Sequence, residues 1–188
     1  ESRPHETLPS MEGLLHVGLE PVALRAVVVG GEAVPQSLID AIYGLPTVTG
    51  VYNSFGPTEC TDQCSTTTLH PNVAQGRRPS IGGPIANVQL YVLGADLQPS
   101  PIGLPGILFI AGAGVSRGYL NRPELTAKVF VVNPFGAGRM YNTGDLVRWR
   151  DDGTLEYLGR KDTQVKIRGQ RVELDEIDSV LLTHVGTA

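Results

Sequence analysis

Two patterns of apolar and polar positions divide this 188-residue chain. In the first third, apolar residues come in short dense runs around one helical stretch. Residues 24–29 (LRAVVV) form a β-branched run stopped by Gly30-Gly31, which predicts a buried strand. Leu38, Ile39 and Ile42 then recur at helical spacing after Pro35, a residue suited to a first helical turn, so a helix is expected over 36–43. Residues 48–52 (VTGVY) predict a second strand. Strand, helix, strand is a βαβ unit, with parallel strands and a right-handed crossover. Both strands then end on one sheet edge, where open α/β folds take their ligands. Gly30-Gly31-Glu32 and Asn53-Ser54-Phe55 are therefore expected to be neighbours.

From about Gly76 the pattern changes. Apolar stretches such as 88–93 and 107–111 alternate with Gly/Pro turns at Pro84, Pro99-Ser100-Pro101 and Gly103-Leu104-Pro105-Gly106, which reads as antiparallel β. One helix is expected at 123–129, where Pro123 suits the first position and Glu124 complements the dipole. Asp151-Asp152-Gly153 reads as a hairpin turn between strands 146–149 and 155–158. After Gly159, residues 164–167 and 171–174 predict a second hairpin, followed by a helix from Glu176 capped by Asp175. The expected class is α/β with a β-rich part: a partial parallel α/β unit over 1–75, an antiparallel β unit over 76–161, and the start of a small α+β unit over 162–188. Residues 1–22 offer only a Pro-rich, loosely patterned lead-in.

Composition narrows the function classes. With 41% hydrophobic and 18% charged residues the chain can bury a sizeable core. A net charge of −4 without a basic stripe argues against a nucleic-acid partner. No run approaches the ~20 apolar residues of a membrane span, and no signal segment opens the chain, so no membrane partner and a cytoplasmic location are expected. Cys60 and Cys64 lack a further Cys or a His to complete a metal site and read as ordinary thiols. The chain opens on Glu1 and stops soon after the last helix begins; both ends read as cuts in a longer protein.

Four stretches carry candidate chemistry. NSFGPTE (53–59) turns sharply after a strand and presents a hydroxyl and a carboxylate at the sheet edge. Thr58 can bond a phosphate oxygen and Glu59 can hold Mg²⁺. Phe55 can stack on a base, and Asn53 can pair with an adenine edge. YNTGDL (141–146) places Asp145 to accept from ribose hydroxyls, as acidic residues do in nucleotide sites. YLGRKD (157–162) adds Arg160, a natural partner for phosphate or ribose oxygens. QVKIRGQRVEL (164–174) is a basic hairpin. Each has a plainer reading: a capped turn with a solvated Glu, a turn aspartate, a surface Arg, and an edge strand guarded by charge. Their joint occurrence in this order is what favours the chemical one.

FGPTE, GAGVSRGYLNRPELTAKVF, YNTGDLVRW and YLGRKDTQVKIRGQRVEL together resemble adenylation domains of nonribosomal peptide synthetases, within the adenylate-forming superfamily that also holds acyl-CoA synthetases and firefly luciferase. The resemblance spans about residues 24 to 184 and implies a fragment of that fold, the later part of the core plus the start of the C-terminal subdomain. It implies that Asn53, Ser54, Phe55 and Gly56 face the adenine side, flanked by Gly31, Glu32 and Ala33. Thr58 would contact the α-phosphate, Glu59 would bind Mg²⁺, and Asp145 would take the ribose hydroxyls with Tyr157 and Arg160. Asp162 would sit at the hinge of the small subdomain, with Lys166 and Gly169 on the hairpin facing the site after rotation. Val28, Gly30, Ser54, Asp62 and Gln63 match positions lining the amino-acid pocket. Asp62 and Gln63 would make that pocket polar, and a carboxylate buried there would need a hydrogen-bonding or cationic substrate group.

The implied activity is ATP-dependent formation of an aminoacyl-adenylate, then transfer to the phosphopantetheine thiol of a peptidyl carrier protein. The implied partners are the amino acid, that carrier and the rest of the adenylation domain. Departures exist: Phe55 stands where Tyr is usual, Asn142 replaces the usual Arg, and Ile107 replaces the usual Glu. A phosphate-gripping Ser/Thr/Gly-rich loop with Lys is missing from the chain, since 65–68 (STTT) reads as a strand. The family's amino-group Asp and C-terminal catalytic Lys would fall outside residues 1–188, so the chain alone is expected to be inactive. An acyl- or aryl-acid CoA ligase fragment, and a non-catalytic half of a split or interrupted domain, stay open as alternatives.

Overall fold

A computed structural model describes residues 24–71, 78–167 and 170–185. The βαβ unit forms as its pattern requires. Strand β1 (Ala26–Gly30) leads into helix α1 (Gln36–Tyr43) and returns through β2 (Gly50–Phe55), which pairs with β1 in parallel. Pro35 precedes α1, and its carbonyl accepts the Leu38 and Ile39 amides. The apolar face of α1 packs Ile39 and Ile42 on Val27, Val51 and Leu69, so helix and strands exclude water from each other. Tyr43 ties the layers further: its hydroxyl donates to Leu69 O at 2.8 Å and accepts from Val51 N at 3.2 Å.

The sheet continues without a break. After a single 3₁₀ turn (Thr58–Cys60), β3 (Ser65–Leu69) runs antiparallel to β2, confirming the strand reading of the Ser/Thr run. β4 (Ser80–Pro84) then pairs with β3 on one side and, on the other, with the later strand β9 (Leu155–Arg160). This Gly/Pro-rich strand carries too little apolar signal to be legible from pattern alone. Gly82 is what permits the junction: it holds φ +84, and a Cβ there would stand 2.0 Å from Thr66 O.

The remaining strands are β5 (Val88–Leu93), β6 (Gly106–Gly112), β7 (Phe130–Val132), β8 (Arg139–Trp149) and β9 (Leu155–Arg160), with α2 (Pro123–Val129) before β7. Neighbours run β1-β2-β3-β4-β9-β8-β6-β5, with β7 added on β8. β6 is buried on both faces, which explains its continuous apolar sequence. Leu108 and Ile110 join one cluster with Leu90, Val92, Tyr141 and Val147, while Phe109 and Ala111 join Leu93 and Met140 in another.

Several boundaries shift from the sequence expectation: β2 runs on to Phe55 and takes in Asn53 and Ser54, and two further shifts have a clear cause. β8 begins at Arg139 instead of 146, because Met140, Tyr141, Thr143, Asp145 and Val147 are all buried despite the polar motif between them. Helix α3 (Leu174–Val185) begins before Asp175, whose carboxylate accepts the Thr163 hydroxyl at 2.7 Å. The hairpin before it is β10 (Gln164–Ile167) against β11 (Gln170–Glu173); Gly169 lies outside the described residues. Among the described residues, no helix is long and apolar enough to cross a membrane.

Candidate functional site

Parallel pairing places Gly30 opposite Ser54 and Val29 opposite Asn53, so the Gly31-Glu32-Ala33 loop and the 53–59 turn share one sheet edge. The turn after Phe55 is built by close backbone contact. A Cβ on Gly56 would stand 2.1 Å from Asp62 O, and Cys64 N donates to Phe55 O at 2.8 Å to close the loop. Thr61 and Asp62 adopt the left-handed region, at φ 61° and 70°. This folding leaves Thr58 exposed and draws Glu59 inward to 7% exposure.

Glu59 is not the solvated carboxylate of the plainer reading. The Tyr119 hydroxyl donates to its Oε1 at 2.6 Å, and Ser116 N donates to its backbone carbonyl at 2.9 Å. The Thr61 hydroxyl also donates to Gly114 O at 2.8 Å, so the loop carrying residues 114–119 is laced to the turn. Sequence reasoning gives Tyr119 no role. It stands inside the GYLNRPE stretch, but nothing in the order of residues joins it to a carboxylate sixty positions earlier.

A second group forms where β8 meets β9. Asp145 is 7% exposed and lies directly opposite Arg160 in the ladder. Arg160 Nη1 donates to Asp145 Oδ1 at 3.0 Å, so neither a turn aspartate nor a surface Arg describes them. Asp145 N donates to the Thr143 hydroxyl oxygen, and that hydroxyl donates to Leu108 O, which fixes this stretch on β6. Burial, then the Asp145 charge, pushes the Tyr157 phenol up to about 12. Hydrogen bonds from Arg160 hold the Asp162 carboxyl below its ordinary value against the opposing effect of burial. The Tyr157 ring reaches back to Phe55, with centroids 6.4 Å apart, and so joins the two groups.

Other sequence-derived positions fall around this centre. Asn53 is 4% exposed and donates its amide to Ser80 O at 2.8 Å, a contact that β4 alone makes possible. Gln63 donates to the Ser54 hydroxyl at 2.6 Å. Val28 is 64% exposed and Asp62 is exposed. Lys166 sits in β10 opposite Arg171, and Asp162 lies just ahead of that hairpin. Cys60 and Cys64 are free and buried together; the Cys64 contact and burial push the Cys60 thiol up, away from reactivity.

A parallel strand pair whose edge carries a tight Gly-Pro turn, facing an antiparallel Tyr–Asp–Arg group, is a segment of the adenylate-forming architecture. The AMP-binding enzyme family model matches residues 9–120, and the chain belongs to that family. It is 48% identical over 164 residues to tyrocidine synthase 3 of Brevibacillus parabrevis, covering 87% of this chain and 2% of that protein. It is 50% identical over 169 residues to a dimodular nonribosomal peptide synthase of Bacillus subtilis (strain 168), covering 88% and 7%. Among solved structures it superposes on PA1221, an NRPS protein containing adenylation and PCP domains, with a TM-score of 0.76 and 28% identity over 84% of this chain and 32% of that one. On holo-AB3403, a four domain nonribosomal peptide synthetase bound to AMP and glycine, the values are 0.70 and 40%, over 89% and 12%. The fold is thus a fragment of the adenylation-domain fold, and the chain spans a small part of the relatives it matches.

Proposed function

We propose that this chain carries the nucleotide-facing part of an amino-acid adenylation site in nonribosomal peptide synthesis. The observation that supports the reading best is the contact between Phe55 and Tyr157, which brings the FGPTE turn to the Asp145–Arg160 pair from opposite ends of the sequence. A purely structural role would not require an Asp, an Arg and a tyrosine hydroxyl gathered beside the ring of Phe55, which leads into the turn that presents Thr58. We divide the chain into residues 1–75, residues 76–161, and residues 162–188 as the beginning of a small subdomain.

In this reading Phe55 stacks on adenine. Asn53, its amide nitrogen engaged by Ser80 O, turns its Oδ1 to the exocyclic amino group, with Ser54, Gly56 and the Gly31-Glu32-Ala33 loop flanking the base. Asp145 accepts from the ribose hydroxyls beside Tyr157 and Arg160, and Thr58 donates to the α-phosphate. Glu59 suits Mg²⁺, which takes one or two carboxylates and fills its shell with water and substrate phosphates. Bound Mg²⁺ would supply positive charge beside the phosphate oxygens.

The amino-acid carboxylate attacks the α-phosphorus, the bond to the bridging oxygen breaks, and pyrophosphate leaves with that electron pair. Catalysis is positioning plus charge neutralisation. The carbonyl of the adenylate is then attacked by the phosphopantetheine thiol of a peptidyl carrier protein, and AMP departs. Val28, Gly30, Ser54, Asp62 and Gln63 form one wall of the amino-acid pocket, closed by the rest of the domain. Asp162 acts as the hinge that brings Lys166 inward.

The test is amino-acid-dependent ATP–pyrophosphate exchange by the parent protein, run over a panel of amino acids. Exchange with one or a few of them supports the reading and names the substrate. Exchange with none, but turnover with aryl or fatty acids and coenzyme A, replaces it with an acyl-acid ligase.

A further inference from the structure

The Tyr119–Glu59 bond joins the FGPTE turn to a loop that the functional reading leaves without a task. We propose that Tyr119 is a positioning residue for Glu59, setting the carboxylate that receives the nucleotide-bound divalent cation. This rests on the reading of Glu59 as the metal ligand. A carboxylate at 7% exposure needs a polar partner, and the 2.6 Å bond from the Tyr119 hydroxyl is in the short, charge-assisted range. Tyr119 is itself held at its backbone and at its ring. Its backbone amide donates to the Thr126 hydroxyl at 2.9 Å in α2, and its ring meets Phe130 edge-on at 5.6 Å, which in turn packs on Tyr141 at 5.0 Å. Ser116 N meanwhile holds the Glu59 main chain. With one oxygen engaged and the backbone pinned, the Glu59 rotamer is set before any ligand arrives. Pre-set ligands of this kind avoid an ordering cost on binding, and outer partners of metal ligands are worth about 10–100-fold in affinity.

The experiment is a Mn²⁺ titration of the 188-residue chain with a non-hydrolysable ATP analogue, read by the paramagnetic resonance signal of free Mn²⁺. Wild type, Glu59→Gln, Tyr119→Phe and Thr126→Val are compared, each checked for folding by circular dichroism. Tyr119→Phe should weaken Mn²⁺ binding about tenfold, with occupancy restored at higher Mn²⁺. Thr126→Val should weaken it by a smaller factor, and it carries the test if Tyr119→Phe fails to fold. Wild-type affinity in both, with Glu59→Gln defective, overturns the role of Tyr119 and leaves the Glu59 reading intact. Unchanged binding in Glu59→Gln, or none in wild type, overturns both.

Discussion

Arg160 donates to Asp145 at 3.0 Å through Nη1 while gripping Asp162 at 2.6 and 2.7 Å through Nε and Nη2. One guanidinium therefore ties a carboxylate in the middle of β8 to the residue just ahead of the terminal hairpin. Asp145 is the more dependent partner, because it is buried while Asp162 is half in water. Replacing Arg160 by Leu removes the ion-pair partner of the buried Asp145 carboxylate and leaves the Tyr157 hydroxyl beside it. We expect a loss of about 2–3 kcal/mol in urea unfolding, with Arg160→Lys recovering part of it. A loss indistinguishable from a surface substitution would show that the pair does not hold the strands.

The same group sets the pH response. The Asp162 carboxyl is held below its ordinary 3.8, so its contribution is complete above that value and fades as pH falls through the lower folded one. Tyr157 moves the other way, from 10.0 to about 12, so its contribution is complete below 10 and fades as pH rises toward 12. Urea midpoints measured across pH should fall at both extremes. Asp162→Asn should flatten the acid limb and Tyr157→Phe the alkaline one; limbs unmoved by either substitution would assign them to other groups.

Gly56→Ala should damage the 53–59 turn. The added Cβ would meet Asp62 O at 2.1 Å and Cys64 N at 2.8 Å, both backbone atoms that cannot swing aside. A cost of about 1–3 kcal/mol is expected from such overpacking, together with weaker binding of Mn²⁺ and nucleotide as Glu59 shifts. A stable variant with unaltered binding would mean that the turn geometry is not needed.

Glu156 tests the frame apart from the site. Burial opposes its charge, but Arg148 and Arg150 outweigh burial and hold the carboxyl below its ordinary value, with contacts of 3.0 and 3.3 Å. Glu156→Gln should cost about 2 kcal/mol in thermal or urea unfolding without altering nucleotide affinity. A change in affinity at equal stability would tie this β9 position to the site.

Much of this is legible in order and spacing, and the rest is hidden for identifiable reasons. β1, α1 and β2 follow from dense apolar runs around one helical repeat, and α2 is readable to the residue from Pro123 and its neighbours. β4 escapes because Ser80, Gly82, Gly83 and Pro84 carry no alternation; its identity comes from the two strands it joins. β8 reads short because Thr143 and Asp145 are polar yet buried, satisfied by Leu108 O and Arg160 across the ladder. The motif residues can be found individually. What the sequence cannot supply is the pairing among them: Tyr157 with Phe55, Tyr119 with Glu59, Ser80 with Asn53. Those contacts join residues far apart along the chain, and only the folded chain brings them together.

The most direct test is calorimetric titration of AMP into the 188-residue chain and into its Asp145→Asn variant. Wild type should bind AMP saturably and one to one, and the variant should lose about tenfold or more, as the ribose hydroxyls lose a charged acceptor. No binding by wild type, or equal binding by both proteins, would contradict the claim that these motifs assemble an adenylate site.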